Sequence, residues 1–144
     1  MKTAQQLVGE VKPTINEVSI EQLQQALNDH HTILIDVREQ NEFANGHIDR
    51  AVNYPRGVLE FRIHQHPSVT QLCDTEQALQ ELANKPVYLI CQSGGRSALS
   101  AEALTRMGFN QVKSVAGGMQ AWTTATCQSL NKPNGGTDPT GCLP

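Results

Sequence analysis

Aromatic side chains make up only 4% of this sequence of 144 residues, and several other common features are scarce as well. The formal net charge of −3 includes no basic excess, so we expect no nucleic-acid partner. The apolar runs are far shorter than the roughly 20 residues that cross a bilayer, so we expect no membrane partner either. Four cysteines are too few for a disulfide-rich scaffold. The composition therefore predicts a soluble globular domain with a largely aliphatic core.

A targeting signal is missing too, because polar residues follow Met1 and Lys2 without an apolar segment or a cleavage pattern. We therefore expect a cytoplasmic protein with reduced cysteines, provided that no export signal precedes Met1.

Strands and helices are predicted to alternate along the chain. Consecutive apolar residues predict buried strands at 32–37 and 87–90, and shorter candidates lie at 51–54 and 111–115. Apolar residues at helical spacing, with Ser19 and Asp74 as N-caps, predict helices at 3–12, 20–27, 57–63, 75–83, 96–107 and 119–125. Because parallel strands need helical crossovers, this alternation predicts an α/β fold with a parallel sheet and helices on both faces.

The chain is predicted to divide into three parts. Residues 1–16 form an N-terminal helical extension and residues 17–126 form the α/β domain. Residues 127–144 form a flexible tail, in which six of the eighteen residues are Gly or Pro.

The most informative segment is the loop that follows strand 87–90. Cys91 stands at the carboxyl end of that strand, where open parallel sheets bind ligands, and the loop leads directly into a helix. Gly94 and Gly95 permit positive φ angles, so successive amides can converge on one anion, and Arg96 adds positive potential. These surroundings favour a thiolate, so we interpret Cys91 as a nucleophile rather than an ordinary core cysteine. The predicted substrate-binding residues are Gln92, Ser93, Gly94, Gly95, Arg96 and Ser97.

With these residues the sequence resembles the rhodanese family of sulfurtransferase domains. Besides the loop at Cys91, the resemblance is carried by Asp36-Val37-Arg38, by Gly46-His47-Ile48 and by the closing Gly117-Gly118-Met119-Gln120-Ala121-Trp122. The motifs span about residues 17–125 in the family's order. The resemblance implies a rhodanese-like five-stranded parallel sheet with helices on both faces and a cysteine that carries sulfur as a persulfide.

The length of the cysteine loop distinguishes between related families. Cys91 to Arg96 is a six-residue Cys-x-x-x-x-Arg loop, whereas the related dual-specificity phosphatases have seven residues. A shorter loop surrounds a smaller volume, which suits a terminal sulfur, so a phosphatase or arsenate reductase is disfavoured. The resemblance implies an enzyme of the thiosulfate sulfurtransferase type, moving sulfane sulfur from thiosulfate or a similar anionic donor to cyanide or a thiol. The alternative is a non-enzymatic persulfide carrier or a rhodanese-like binding module.

Asp36, Arg38 and Arg56 are candidates for supporting roles at the site. Asp36 and Arg38 end a strand on the ligand side of the sheet, but Arg38 is spaced to pair with Glu42, and we favour a structural role for both. Arg56 is expected either to attract an anion or to lie on a solvated helix. We expect no cofactor, and a monomer or weak dimer.

The other cysteines have no predicted part in the chemistry. Cys127 and Cys142 could form a disulfide after export or relay sulfur from Cys91, but idle thiols are favoured. Cys73 lies near His64 and His66 in the sequence, yet no CxxC or HxxxH pattern is present, so no metal is expected.

Overall fold

The architecture is a five-stranded, all-parallel sheet between two layers of helices. A computed structural model describes residues 1–130, with the side chains of residues 1–126. The strands are β1 (Asn16–Val18), β2 (Ile33–Asp36), β3 (Val52–Asn53), β4 (Val87–Ile90) and β5 (Val112–Val115). They lie side by side in the order β1-β5-β4-β2-β3, and every neighbouring pair is parallel. The α/β fold and the five-stranded sheet that the resemblance implied are therefore confirmed.

Helices connect the strands, and two of them begin at the N-caps predicted from the sequence. They are α1 (Ala4–Val11), α2 (Ile20–Ala26), α3 (Gln40–Ala44), α4 (Leu59–Arg62), α5 (Thr75–Ala83), α6 (Gly95–Met107) and α7 (Gly118–Leu130). Ser19 caps α2 in a reciprocal pair of hydrogen bonds with Gln22, and Asp74 accepts the amide of Gln77 at the start of α5. Because these bonds satisfy amides that lack helical partners, both predicted helix starts are confirmed.

The core has two parts, one on each face of the sheet. Successive residues of β2 point alternately to the two faces, so Ile33 and Ile35 join one buried cluster and Leu34 joins the other. Leu89 and Ile90 of β4 divide in the same way. Strands that are covered on both faces need apolar residues at every position, which explains the unbroken runs in the sequence.

Three elements differ from the sequence prediction. The apolar pattern does not predict β1, because two of its three residues are exposed and only Val18 is buried. It also does not predict α3, whose five residues include no buried side chain. The last helix was predicted to end at residue 125, but α7 runs to Leu130.

Residues 131–144 lie outside the described part of the chain, as does the side chain of Cys127. The hypotheses about the tail, Cys127 and Cys142 therefore stay predictions. Within residues 1–130, no helix is both long and apolar enough to cross a membrane.

Candidate active site

Cys91 is held at the carboxyl end of β4, and its side chain is almost completely buried. Two backbone amides donate hydrogen bonds to its Sγ, from Gly94 at 3.1 Å and from Ser97 at 3.3 Å. The amide of Ser97 belongs to the first turn of α6, where amides have no helical acceptor. The sulfur therefore takes the place of that acceptor, in a position that favours negative charge on the sulfur.

The turn that brings these amides back to the sulfur depends on Gly94. Its φ is +106°, in the left-handed region that other residues rarely adopt. A Cβ at this position would also lie 3.3 Å from the amide nitrogen of Gly117. After this turn, α6 begins at Gly95, and within the described residues the amides of Gly95 and Arg96 make no hydrogen bond. Those two amides remain available to an anion.

A second helix terminus fixes the same loop from behind. At the start of α7, Met119 donates its amide to the carbonyl of Cys91 at 2.8 Å, and Gln120 donates to the carbonyl of Gln92 at 3.1 Å. The approach is so close that a Cβ on Gly118 would overlap the carbonyl oxygen of Cys91. These bonds occupy the loop carbonyls, so the carbonyls cannot turn towards an anion at the sulfur.

A pair of buried serine hydroxyls lies behind Cys91. The Oγ of Ser97 is 3.5 Å from Cys91 Sγ and 2.7 Å from the Oγ of Ser114 on β5. Neither serine is exposed to solvent. Ser97 was predicted from the sequence, but Ser114 was not. The available signal was a small polar residue among the apolar residues at the end of a predicted strand.

Arg96 points towards α3 and pairs with Glu42. Its Nη1 and Nη2 donate to the two carboxylate oxygens of Glu42 at 2.7 and 3.0 Å. The hydrogen bonds from Arg96 lower the pKa of Glu42 to about 2, and the same pairing raises the pKa of Arg96. The expected pair between Arg38 and Glu42 is therefore wrong, because the partner of Glu42 comes from the cysteine loop.

Arg38 instead pairs with Asp36, and both side chains are buried. The Nε and Nη2 of Arg38 donate to the carboxylate of Asp36, the shortest bond being 2.8 Å. Arg38 also donates to the carbonyl of Gly46 at 2.9 Å and lies 3.5 Å from the side-chain oxygen of Gln92. The pair therefore joins the end of β2 to the turn at Gly46 and to the edge of the cysteine loop.

The other predicted site residues lie at the surface. Ser93 is exposed, and Arg56 is exposed in a 3-10 turn, Arg56–Val58, where its side chain has no partner among the described residues. The neighbouring Arg62 lies over the ring of Tyr54, 5.9 Å from its centre. The structure thus brings together the predicted site residues Cys91, Gln92, Gly94, Gly95, Arg96, Ser97, Asp36 and Arg38. Arg56 makes no hydrogen bond with any of them.

The N-terminal helix lies beside the loop as well. A cavity of about 390 Å³ is lined by Val8 and Lys12 from the N-terminal segment and by Ser93, Gly95 and Arg96 from the cysteine loop and the start of α6. The residues before the α/β domain therefore contribute a wall near the candidate site, which the sequence pattern did not indicate.

The histidines near Cys73 do not converge with it. His66 is buried and its Nδ1 accepts the amide of Ser68 at 3.1 Å, whereas Cys73 is exposed. In the part of the chain with described side chains, no three His, Cys, Asp or Glu residues are grouped so that they could hold a metal ion.

Comparison with known proteins gives a consistent set of relatives. The model of the Rhodanese-like domain family matches residues 19–125. Thiosulfate sulfurtransferase GlpE of Shewanella oneidensis is 30% identical over 112 residues, which cover 78% of this chain and 96% of that protein. The human single-domain sulfurtransferase TSTD1 superposes with a TM-score of 0.60 at 26% identity, covering 75% of this chain and 95% of that one.

Some relatives are longer than the matched region. YrkF of Bacillus subtilis, provisionally named a sulfur carrier protein, is 32% identical over 114 residues, which cover 78% of this chain. The chain spans 54% of YrkF, 59% of YqhL from the same organism and 66% of a mitochondrial protein of Schizosaccharomyces pombe. In these proteins the matched domain is accompanied by further sequence.

Proposed function

The chain belongs to the rhodanese-like domain family, and on that premise we propose that it is a sulfurtransferase that carries sulfur on Cys91. The observation that carries the proposal is the pair of amide hydrogen bonds to Cys91 Sγ inside a six-residue loop. Those donors are oriented before any reaction, so they stabilise negative charge on sulfur without further rearrangement.

The first proposed step loads the cysteine with sulfur from an anionic donor such as thiosulfate. The thiolate of Cys91 attacks the outer sulfur, and a new S–S bond forms. The S–S bond of thiosulfate breaks, and its electron pair leaves with sulfite. No proton and no external oxidant or reductant is needed, and the product is a Cys91 persulfide anion.

The second proposed step unloads the sulfur to an acceptor. The carbon of cyanide, or the sulfur of a thiolate, attacks the outer sulfur of the persulfide. The S–S bond to Cys91 breaks, and its electron pair returns to the Cys91 thiolate. With cyanide the product is thiocyanate, and the enzyme is regenerated. Because each substrate reacts in turn with the same cysteine, this sequence predicts ping-pong kinetics.

The remaining loop residues are proposed to hold charge in place. The amides of Gly94 and Ser97 already contact the sulfur, and those of Gly95 and Arg96 are available for the terminal sulfur or the donor. The guanidinium of Arg96 is paired with Glu42, whose negative charge offsets it at long range, so the proposed part of Arg96 in donor binding rests on its backbone amide.

The test is thiocyanate formation from thiosulfate and cyanide, with hydrolysis of a phosphate ester measured in parallel. We expect turnover in the first assay with parallel-line kinetics and no activity in the second. Cys91→Ser should lose at least about a thousandfold in rate, because a neutral hydroxyl is a far weaker nucleophile than a thiolate. Cys73→Ser is the matched control, since Cys73 is exposed and outside the site, and it should keep full activity.

A persulfide carrier is the second candidate, favoured by the relative that is named a sulfur carrier. Mass spectrometry after incubation with thiosulfate alone separates the two. An enzyme gains one sulfur on Cys91 and releases sulfite, whereas a carrier stays unmodified until a loading partner is added. An active Cys91→Ser variant, or the absence of both turnover and the sulfur adduct, would contradict the sulfurtransferase proposal.

A further inference from the structure

Ser114 lies outside the cysteine loop, yet its hydroxyl is bonded to the serine whose hydroxyl lies against the sulfur of Cys91. It is the third residue of β5, and its Oγ is 2.7 Å from the Oγ of Ser97 in the first turn of α6. Ser97 Oγ in turn lies 3.5 Å from Cys91 Sγ and 3.2 Å from the carbonyl oxygen of Gly94. Both serines are completely buried, so water does not compete for these contacts.

Counting hydrogens gives the direction of the Ser114–Ser97 bond. A hydroxyl has one hydrogen to donate, and a buried one is rarely left without an acceptor. Within the described residues, Ser97 Oγ is the one polar atom bonded to the hydroxyl of Ser114. Ser114 therefore donates to Ser97, and the hydrogen of Ser97 is left for either Cys91 Sγ or the carbonyl of Gly94.

These two choices correspond to the two states of the sulfur. When Cys91 is a thiol, its S–H donates to Ser97 Oγ, and Ser97 donates to Gly94. When Cys91 carries an anion, the Ser97 hydroxyl rotates and donates to the sulfur. In both states the hydrogen bond from Ser114 is unchanged, and it holds Ser97 Oγ in the position from which either bond can form.

We propose that Ser114 is a positioning residue for sulfur transfer, which acts through the hydroxyl of Ser97 to stabilise the anionic sulfur of Cys91. The proposal deepens the proposed function and rests on it for the effect on turnover. Donation from Ser114 polarises the Ser97 hydroxyl and makes it a stronger donor to the anion. Without that bond, Ser97 is free to remain on the Gly94 carbonyl.

Charged groups approach the loop from other elements, and none of them touches Ser114. Arg96 lies on α6 with Glu42 of α3, and the Asp36–Arg38 pair lies at the end of β2. On β5 itself, Lys113 lies over the ring of Tyr88, 5.4 Å from its centre. The start of α7 presents backbone amides to the loop carbonyls. A Ser114 variant therefore leaves these charges in place.

The experiment measures the rate at which iodoacetamide alkylates Cys91 between pH 5 and pH 10, with the modified peptides quantified by mass spectrometry. Ser114→Ala should shift the midpoint of the profile to higher pH and slow alkylation about threefold below the midpoint, with the same plateau above it. Ser97→Ala should slow it roughly tenfold, as expected for losing a hydrogen bond to a charged group. The exposed Cys73 is an internal reference, and at each pH its alkylation rate should be the same in the wild type and the variants.

Two further variants separate positioning from general damage to the core. Ser114→Thr keeps the hydroxyl and should restore the wild-type midpoint. Adding Ser114→Ala to Ser97→Ala should have no further effect, because Ser114 acts through Ser97. Ser100→Ala removes another buried hydroxyl of α6, one that bonds the carbonyl of Arg96, and should leave the profile unchanged.

An unchanged midpoint in Ser114→Ala, or additive effects in the double variant, would overturn the proposal. If Ser114→Ala does not fold, Ser97→Ala still tests the proposal. A wild-type alkylation profile for Ser97→Ala would overturn it, because the Ser97 hydroxyl would then not stabilise the anionic sulfur. Alkylation needs no sulfur donor or acceptor. A protein that failed to transfer sulfur would therefore still give a result for Ser114, and the two proposals can fail separately.

Discussion

His66 is a buried base at the amino-terminal end of the sheet, away from Cys91. Only 8% of its surface is exposed, and its Nδ1 accepts the amide of Ser68, which caps the 3-10 turn Pro67–Val69. It borders a cavity of about 460 Å³ that Lys85 also lines. Loss of solvation, and secondarily the charge of Lys85, lowers the pKa of His66 to about 4. The folded protein therefore holds this ring in its neutral form.

We predict that His66 makes the protein sensitive to mild acid. Between pH 6.5 and about 4 the unfolded chain binds a proton at this position and the folded chain does not, so the free energy of unfolding falls as the pH falls. The loss amounts to at most about 3 kcal/mol. Urea unfolding at pH 7 and pH 4.5 measures it. His66→Asn keeps an acceptor for Ser68 but cannot titrate, so it should show a smaller difference between the two pH values.

His64→Asn is the matched control, because His64 is only partly buried and should leave the pH dependence as it is. If His66→Asn loses as much stability between pH 7 and pH 4.5 as the wild type, the acid sensitivity has another source.

At the scale of elements, the amino-terminal ends of two helices, α6 and α7, meet at the cysteine loop. The first turn of α6 supplies an amide to the sulfur of Cys91, and the first turn of α7 supplies amides to the carbonyls of Cys91 and Gln92. The start of α6 thus favours negative charge on the sulfur, and the start of α7 orients the peptides that surround it. This close approach explains why glycines occupy the beginning of α7: Gly118 has φ +56° and no room for a Cβ.

We therefore predict that Gly118→Ala separates α7 from the cysteine loop. The added methyl would overlap the oxygen of Cys91, so the helix must move and the loop carbonyls lose their donors. We expect a loss of about 1 to 3 kcal/mol in the free energy of unfolding and a fall of at least about tenfold in kcat/KM for thiosulfate.

Gly108→Ala is the control for backbone strain alone. Gly108 has φ +111°, but a Cβ there would meet no atom within 4 Å. This variant should lose stability and keep its kcat/KM. If both variants lose activity equally, strain rather than the contact with the loop is responsible.

At the scale of the whole molecule, the described side chains that form the core and the site run from Val11 to Ala125. Among the side chains that the structure describes, both clusters on either side of the sheet lie within this range. We predict that a chain ending at Leu130 keeps its melting temperature and its rate of thiocyanate formation, measured beside the full chain. A large loss of activity with unchanged melting would indicate instead that Cys142 relays sulfur.

Local patterns were sufficient for much of this fold. The strand at 87–90, the capped starts of α2 and α5, and the loop from Cys91 into α6 all involve residues close together in sequence, so their composition and spacing carry the information. β1 and α3 were not predicted, because their own residues carry no clear apolar pattern. Each has few or no buried side chains, and each is stabilised by its neighbours rather than by its own pattern.

The amino-acid sequence was enough to predict a parallel α/β domain and to single out Cys91, because strand, glycine turn and helix start are adjacent along the chain. The partners of its charged and polar residues could not be read in the same way. Arg96 meets Glu42 across 54 positions, and Ser97 meets Ser114 across 17. Such contacts depend on the order of the strands in the sheet and on which helices pack against the cysteine loop. The packing of the whole chain determines that order and that placement.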